Sequence, residues 1–469
     1  MCRPACTLVR VRVRKETTSM AEMLTSSRGS AVPQEAVDSD QSHVYQPRKA
    51  WAIAIWLTAF SAINFLDKVV LGMLAVPIME DFHLTPTRFG VIAGSFFWLF
   101  SLSAIVVGFI GNRVATRWIL LGMAFVWSVV QLPVAYATKA WVLLASRVAL
   151  GAGEGPSFPV SAHALYKWFP HERRNLPVTL INQGAVIGLL LAGLLVPYIS
   201  RNWGWRSNFI VLALASAVWG LGWLCFGREG TLHADAGGKA GLDGGAPLRD
   251  AVPRRVSYRR LLSDPTVLSS CFIGFAAYWS LALVLTWVPS YLEQGLGFDR
   301  TAAGRVFALQ VACGIPISMT LSWYSQRMLQ RGASSRAARA VFGCVCVGLG
   351  GLGLLAQALI PMETGYRMAM LTIAATLPNM VFTLGPAILA EITPDAQRSG
   401  IVALNVAVST FAGAIAPVTM GWFVQAHGGG APSHGYELGF AAGGAVMLAG
   451  CVVAWIWQHP ERSQRRLAG

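Results

Sequence analysis

The chain has 469 residues, of which 54% are hydrophobic and only 13% are charged. Soluble proteins carry about 25% charged residues, so the composition excludes an ordinary soluble enzyme and favours a polytopic membrane protein. The net charge of +15 does not indicate nucleic acid, because the basic residues cluster in alternate loops between apolar segments. The cysteines show no disulfide or metal-ligand spacing, and no nucleotide-binding loop occurs. We therefore expect no cofactor, no metal and no enzymatic activity.

The predicted elements make an all-α polytopic membrane protein. Residues 1–49 are polar and basic and are predicted to form a disordered cytoplasmic tail. Twelve apolar segments of about 20 residues, the length that spans a bilayer, follow. The predicted segments are 51–76, 88–111, 118–137, 140–163, 175–198, 207–227, 267–290, 301–325, 338–360, 367–390, 399–424 and 437–458.

A Gly-, Asp- and Arg-rich linker at 228–264 is predicted to be cytoplasmic and to separate two six-helix bundles, 50–227 and 265–459. Residues 460–469 then form a predicted cytoplasmic tail. The bundles repeat, since "AVPIMEDFHLTPTRFG" (75–90) resembles "WVPSYLEQGLGFDRTAAG" (287–304) and aligns Gly90 with Gly304. Parallel six-helix repeats are typical of secondary transporters, whose substrate site lies near the midplane between the halves.

The distribution of basic residues predicts the orientation. With the N-terminus in the cytoplasm, most Lys and Arg residues fall in cytoplasmic loops and tails, as the positive-inside rule requires. Both termini are then cytoplasmic, and the lipid bilayer is the obligatory partner. The compact loops and the absence of an N-x-[ST] sequon favour a bacterial inner membrane. We expect a monomer.

Four charged residues lie well inside the predicted segments, all in the first half: Asp67, Lys68, Arg147 and Glu154. At 1.5 Å per residue, Asp67 and Arg147 lie at similar depth, and Glu154 lies two turns further along the face that carries Arg147. Each such charge costs about 2.5–3.5 kcal/mol on insertion scales and is by default a functional candidate. The alternative is that they form buried ion pairs, such as Asp67 with Arg147, that only fix helix packing.

The chemistry of these residues predicts proton-coupled uptake of a small organic anion. A buried carboxylate is ionised beside a cation and takes up a proton when that cation is withdrawn, which makes Asp67 and Glu154 the proton-coupling candidates. Lys68 and Arg147 would bind a substrate carboxylate, lysine as a point charge and arginine as a bidentate fork. Asn64, one turn before Lys68, and Tyr278 are candidate cavity residues, although an interhelical hydrogen bond explains each equally well.

A loop motif and two segments resemble a known family. "GFIGNRVATR" (108–117) resembles the major facilitator superfamily's loop G-x-x-x-D-R-x-G-x-R, with Gly108, Arg113 and Arg117 matching, Asn112 replacing the acid and Ala115 replacing the glycine. Within that superfamily, "FLDKVVL" (65–71) and "RVALGAGEGPSFP" (147–159) resemble the anion:cation symporters. The resemblance implies twelve helices, alternating access, transport of sugar acids or other carboxylates, and a gating role for Gly108, Asn112, Arg113 and Arg117.

The same resemblance adds candidates for substrate binding. Asn182 and Gln183 fall where the family has polar residues in the fifth helix, and Asn405 falls where it has cavity-facing asparagines in the eleventh. The family usually has arginine where Lys68 stands, and some sugar-acid members have tyrosine where Phe100 stands. The loss of that hydroxyl implies a less hydroxylated substrate.

Other transport functions stay open. Proton-driven efflux of drugs or cations would use Asp67 or Glu154, but Lys68 and Arg147 would repel a cation. Organic-phosphate antiport would need basic residues from both halves to hold a dianion, whereas the second half has none at depth. A non-transporting sensor would carry a folded effector domain, for which the linker and tails are too short.

Overall fold

A computed structural model describes residues 45–110, 113–170, 173–230, 256–428 and 432–468. This described part is helical and contains no β-strand. Eleven of its helices are long and apolar enough to cross a membrane. The fourth predicted segment, which consists of the helices Ala140–Glu154 and Ser157–Tyr166, is not among the eleven. The predictions for 1–44, and for most of the 228–264 linker, lie outside the described residues.

The first half contains six helical segments in the predicted order. A short helix, Ala75–Asp81, follows the first of them. The six segments are Pro47–Met73; Pro86–Ser95 with Phe100–Ile110; Thr116–Ala135; Ala140–Glu154 with Ser157–Tyr166; Asn175–Trp203; and Ser207–Phe226. The observed bounds differ from the predicted ones mainly at the ends, where helices extend beyond the apolar run into polar residues.

The second half repeats this arrangement. The seventh to twelfth segments are Pro265–Thr286, extended by Val288–Ser290 and the π-helical turn Tyr291–Gly295; Arg300–Gln330; the π-helical Arg336–Val341 with Phe342–Leu359; Thr364–Thr376 with Leu377–Asn379 and Met380–Ile392; Asp395–His427; and Pro432–Trp457. A short helix, Tyr258–Leu262, precedes the seventh segment. The predicted tail 460–469 contains the helix Pro460–Ala468.

The two halves meet closely at one end of the bundle. A Cβ on Gly90 or Gly94 would overlap or crowd the backbone of the eleventh segment at Pro417 and Ala414. In the symmetry-related contact, a Cβ on Gly304 would overlap the backbone of the fifth segment at Gly193. Small residues permit such backbone approach. We call this the closed end, and the opposite end, with the helix starts Thr116 and Pro265, the far end.

Exposed aromatic residues form a belt at each end of the bundle. At the closed end they are Tyr136, Trp141, Tyr198, Trp203, Tyr366 and Trp422. At the far end they are Trp118, Tyr166, Tyr258, Trp323, Tyr324, Trp455 and Trp457. Trp and Tyr collect at both membrane–water interfaces because their rings are amphipathic. The two belts therefore delimit the part of the bundle that lies in the membrane.

Candidate functional site

Three of the predicted residues form one buried network between the first and fourth segments. Asn64 Nδ2 donates a 2.7 Å hydrogen bond to Glu154 Oε2, and Lys68 Nζ donates to Asn64 Oδ1. Lys68 Nζ also lies 3.5 Å from Glu154 Oε2. Glu154 is 0% exposed, Asn64 2% and Lys68 7%. The amide of Asn64 thus bonds to both members of the Lys68–Glu154 ion pair. Glu154 Oε1 has no hydrogen-bond partner in the described structure.

The network faces the junction between the halves. Asn64 and Lys68 are four residues apart on one helix face, and Gly72 continues that face. A Cβ on Gly72 would overlap the backbone of Leu285 and Thr286 in the seventh segment. Lys68 Nζ lies 4.4 Å from the ring centroid of Phe65 and 5.3 Å from that of Phe100. The cation is therefore held among aromatic faces, which attract it electrostatically.

Asp67 and Arg147 lie at the same depth, as predicted, but their charged groups do not pair. Arg147 donates to the main-chain carbonyls of Asp67 at 3.1 Å and Lys68 at 3.5 Å, and it lies 4.9 Å from the ring centroid of Phe96. Within the described chain, Asp67 Oδ1 accepts a 2.9 Å bond from Gln131, whereas Oδ2 has no partner. The prediction of an ion pair between Asp67 and Arg147 is therefore wrong for this conformation, because the guanidinium donates to the backbone of the first segment instead.

The fourth segment breaks beside Glu154. Its first helix ends at Glu154, and the next begins at Ser157. Pro156 has no N–H to continue the helical hydrogen bonds. The indole of Trp127 donates a 3.0 Å bond to the carbonyl of Gly153 at this interruption. Glu154 therefore sits at a helix end that a neighbouring segment helps to satisfy.

Two glycines bring the second segment against this helix. A Cβ on Gly151 would overlap the carbonyl of Phe96, and one on Gly155 would overlap that of Phe100. The observed role of these two glycines is thus close packing, one of the two roles that small residues in a buried helix can have. The approach also carries Phe96 and Phe100 to Arg147 and Lys68.

The other predicted binding residues of the second half, Tyr278 and Asn405, form no hydrogen bond with the network among the described contacts. Tyr278 is half-buried between Phe97 and Phe382, at centroid distances of 5.6 and 5.8 Å. Asn405 is 5% exposed, and its Oδ1 has no hydrogen-bond partner among the described residues. Tyr278 and Asn405 are therefore polar residues of the second half that are at least partly buried.

Two predicted residues on the fifth segment have different surroundings. Asn182 is exposed and Gln183 is half-buried. The neighbouring Gly184 packs on the backbone of Thr58 in the first segment. The structure thus does not bring Asn182 or Gln183 into the hydrogen-bonded network of Lys68 and Glu154.

The predicted gating loop is only partly described. Asn112 lies outside the described residues, Gly108 has open space where a Cβ would be, and Arg113 is exposed. Arg117 donates a 2.9 Å bond to the carbonyl of Leu224, and its own carbonyl accepts a 3.0 Å bond from Trp223 Nε1. Arg117 therefore ties the start of the third segment to the end of the sixth.

Glu229, just beyond the sixth segment, was not predicted from the sequence as a site residue. Its carboxylate accepts from the backbone N–H groups of Thr116 and Arg117, both at 3.2 Å, and it pairs with Lys167. A carboxylate at a helix N-terminus satisfies free N–H groups and opposes the helix dipole. Partial burial favours a higher pKa for Glu229, but the bonds from Lys167, Arg117 and Thr116 outweigh it and hold the pKa below its ordinary value of 4.5.

A second buried ion pair was also missed. Arg367 pairs with Glu437, with side chains 16% and 11% exposed, and Arg367 Nη1 lies 3.4 Å from Tyr291 Oη. Arg367 and Glu437 begin the predicted tenth and twelfth segments, and neither was predicted to be a deep charge. Arg367 is the fourth residue of its helix and Glu437 is the sixth residue of its own. Both lie near helix starts, which the length of an apolar run does not locate.

Comparison with known proteins identifies the family. The sequence profile described as Major Facilitator Superfamily matches residues 56–381. The probable sulfoacetate transporter of Cupriavidus necator is 25% identical over 400 residues, covering 84% of this chain and 90% of its own. The D-galactonate transporter of Escherichia coli is 25% identical over 399 residues, covering 81% and 90%. The probable galactarate/D-glucarate transporter of Bacillus subtilis is 23% identical over 308 residues, covering 62% and 68%.

Solved structures share the fold. A bacterial homologue of the human lysosomal transporter Spinster, crystallised inward-facing and unoccupied, superposes with a TM-score of 0.73 at 18% identity over 90% of this chain and 99% of its own. A D-xylose–proton symporter gives a TM-score of 0.67 at 15% identity, covering 88% and 99%. The chain therefore belongs to the Major Facilitator Superfamily and is an integral multi-pass membrane transporter, not an enzyme.

Proposed function

We propose that this transporter takes up a small organic anion, such as a sugar acid or another carboxylate, together with protons, by alternating access. The observation that carries the proposal is the buried Lys68–Asn64–Glu154 network, which faces the junction of the halves. It contains a cation to bind an anion and a carboxylate to bind a proton. Both groups hydrogen-bond to Asn64, so a change in the charge or position of one alters the interactions of the other.

Lys68 is the proposed first contact for the anion. Its ammonium group is held by Asn64 and by the faces of Phe65 and Phe100, with Glu154 at 3.5 Å. A substrate carboxylate can displace Glu154 as its counter-charge. Relatives named for sulfoacetate, D-galactonate and galactarate/D-glucarate support an anionic substrate. The phenyl ring of Phe100 favours a less hydroxylated member of that class.

Glu154 is the proposed proton site, with Asp67 as a second. A fully buried carboxylate that loses its cationic partner is costly unless it binds a proton. When the substrate engages Lys68, the free oxygen of Glu154, Oε1, is available for that proton. Arg147 is proposed to keep the site electropositive while it holds the backbone at Asp67 and Lys68. The charge added by the anion is thus balanced by the charge of the proton.

The second half is proposed to complete the site. Tyr278 packs against Phe97 of the first half, and Asn405 is a buried amide with an unsatisfied oxygen. Both supply hydrogen-bonding groups for the uncharged part of a substrate. Asn182 and Gln183 lie on the fifth segment and would contact the substrate only if that segment rotated about its axis. A substrate that contacts both halves couples its own binding to a rearrangement of one half relative to the other.

The described conformation is proposed to face the cytoplasm. The halves pack backbone to backbone at the closed end, and the fold resembles an inward-facing homologue of Spinster. The far end carries the basic loop residues Arg113, Arg117, Lys167, Arg173, Arg174, Arg327, Arg331, Arg336 and Arg398. By the positive-inside rule this end is cytoplasmic. The proposal includes a monomer in a bacterial inner membrane.

Uptake into proteoliposomes tests the function. Counterflow with a labelled panel of sugar acids, simple carboxylates, sulfonates, sugar phosphates and organic cations would identify the substrate class. We expect exchange of a carboxylate or sulfonate, and accumulation that rises with an inward proton gradient and collapses with an uncoupler. Exchange of only cations or phosphate esters would overturn the anion proposal. Accumulation that ignores the uncoupler but requires sodium would overturn proton coupling.

A further inference from the structure

The helix Pro460–Ala468, after the twelfth segment, presents an arginine face. Arg462, Arg465 and Arg466 are spaced i, i+3 and i+4, which places them on the same side of a helix. All three side chains are exposed. The opposite side of this helix carries Ser463 and Leu467, which are 5% and 7% exposed. The helix thus has one buried face and one strongly basic face.

Specific contacts fix the orientation of that face. Ser463 Oγ donates a 2.7 Å bond to Asp264 Oδ1 and lies 2.7 Å from Thr266 Oγ1 at the start of the seventh segment. Leu467 packs with Leu261 and Leu389 in a small apolar cluster. Rotating the helix would break these contacts, so its arginines stay directed away from the protein.

The arginine face lies at the level of lipid headgroups. Trp455, Ile456 and Trp457, which end the twelfth segment, are 49%, 57% and 49% exposed, and the two tryptophans belong to the far-end aromatic belt. Such a belt marks the headgroup region. The helix begins three residues after Trp457 and runs across the bundle end against the seventh and tenth segments. The helix therefore starts beside the far-end aromatic belt, which brings its arginines within reach of the membrane surface.

The carboxylates of Glu461 and Asp264 bond to groups other than these arginines, although Asp264 Oδ2 has no hydrogen-bond partner in the described structure. Glu461 accepts a 2.9 Å bond from the backbone N–H of Arg336, and Asp264 accepts from Thr266 and Ser463. Among the described residues, none of the ion pairs includes Arg462, Arg465 or Arg466. Three unpaired arginines on a fixed face call for an external anion, and arginine matches phosphate geometry well.

We propose that the face formed by Arg462, Arg465 and Arg466 binds the headgroups of anionic phospholipids. This binding would hold the far end of the second half at the membrane surface. The inference is independent of the transported substrate. Its occupant is a lipid and not a nucleic acid or an acidic protein, because the helix that carries the arginines begins three residues after the exposed Trp457, at the membrane boundary. Basic residues at that level are attracted by the negative surface potential of anionic leaflets.

Thermal unfolding of the full-length protein tests the proposal. The probes are phosphatidylcholine vesicles with and without phosphatidylglycerol. We expect phosphatidylglycerol to raise the Tm of the natural protein, the triple variant R462Q/R465Q/R466Q to lose most of that rise, and R462K/R465K/R466K to keep at least half of it. In phosphatidylcholine alone, the Tm of the glutamine variant should equal that of the natural protein.

A matched control removes the same charge elsewhere. Arg88, Arg201 and Arg305 are exposed at the closed end, and R88Q/R201Q/R305Q should keep most of the rise with phosphatidylglycerol. An equal loss in both triple variants would overturn the proposal in favour of net charge. An equal rise with inorganic phosphate would indicate a free-anion site and also overturn it. A rise with polyglutamate but none with phosphatidylglycerol would overturn it in favour of an acidic protein partner.

Discussion

Arg147 reaches the main-chain carbonyl of Asp67, at 3.1 Å, and not its carboxylate. The two residues are neighbours whose charges do not form an ion pair in this conformation. Arg147 thus braces the backbone of the first segment beside Lys68, while Asp67 is held by Gln131. The hydrogen bonds that Arg147 donates at this contact therefore do not require a charged Asp67 carboxylate.

The first prediction follows from the bonding of Arg147 to the carbonyl of Asp67 and not to its carboxylate. Arg147→Ala should lower stability by about 2–3 kcal/mol, because hydrogen bonds from a charged donor are lost. Asp67→Asn keeps an acceptor for Gln131 and should cost less than about 1 kcal/mol. The double variant should be no more stable than Arg147→Ala, because Arg147 is held by the main-chain carbonyl of Asp67, which Asp67→Asn leaves in place. Thermal unfolding of the purified variants measures all three. A double variant more stable than Arg147→Ala would reveal an ion pair in the ensemble.

Glu154→Gln mimics the protonated carboxyl in the second prediction. The glutamine can still accept from Asn64, so we expect folding and substrate counterflow to survive. Accumulation driven by a proton gradient should fall to the level seen without the gradient, because the proton site is gone. Matched counterflow and gradient-driven assays in proteoliposomes make the comparison. Loss of expression and counterflow together would assign Glu154 a purely structural role.

Changes at Lys68 test anion recognition. Lys68→Gln should abolish counterflow, because Glu154 would lose its counter-charge and the substrate its cation. Lys68→Arg keeps the charge but offers a bidentate fork, so transport should persist with an altered preference within the acid panel. Substrate competition assays measure that preference. Unchanged counterflow in Lys68→Gln would move the anion site away from this residue.

Glycines at the closed end should control the conformational equilibrium. Gly94→Ala places a Cβ within 2.7 Å of the carbonyl of Ala414, which should disfavour the described conformation. Gly122→Ala is the matched control, because nothing lies within 4 Å of its Cβ position. Both changes gain about 1 kcal/mol of helix propensity, which cancels in the comparison. Spin-label distances across the closed end should lengthen in Gly94→Ala alone, and equal distances in both variants would contradict the prediction.

Glu229 should contribute stability that depends on pH. Its pKa is held below 4.5 by Lys167 and the start of the third segment. A depressed carboxyl pKa stabilises the fold above the unfolded-state value and loses that effect as pH falls through the folded-state value. Glu229→Gln should therefore lower the Tm at neutral pH, and the difference should shrink on acidification. A Tm difference that grows at low pH would contradict this assignment.

The segments and the deep charges could be read from the sequence because both depend on local properties. An apolar run long enough to span the bilayer forms a helix whatever its neighbours are. Asp67, Lys68, Arg147 and Glu154 stand out because a charge in such a run is costly. Helical spacing also placed Asn64 with Lys68, and Arg147 with Glu154, on shared faces.

The partners of those charges were decided by the tertiary structure. Whether Arg147 meets the carboxylate or the carbonyl of Asp67 depends on the rotation of two helices about their axes, which spacing within one helix does not determine. Glu229 reaches the third segment, and Arg367 reaches Glu437, only because distant segments end side by side. Composition and spacing thus determined a multi-pass helical bundle with a charged centre. The packing of helices from both halves decided which groups meet and which end of the bundle is closed, because contacts between segments depend on relative rotation and tilt.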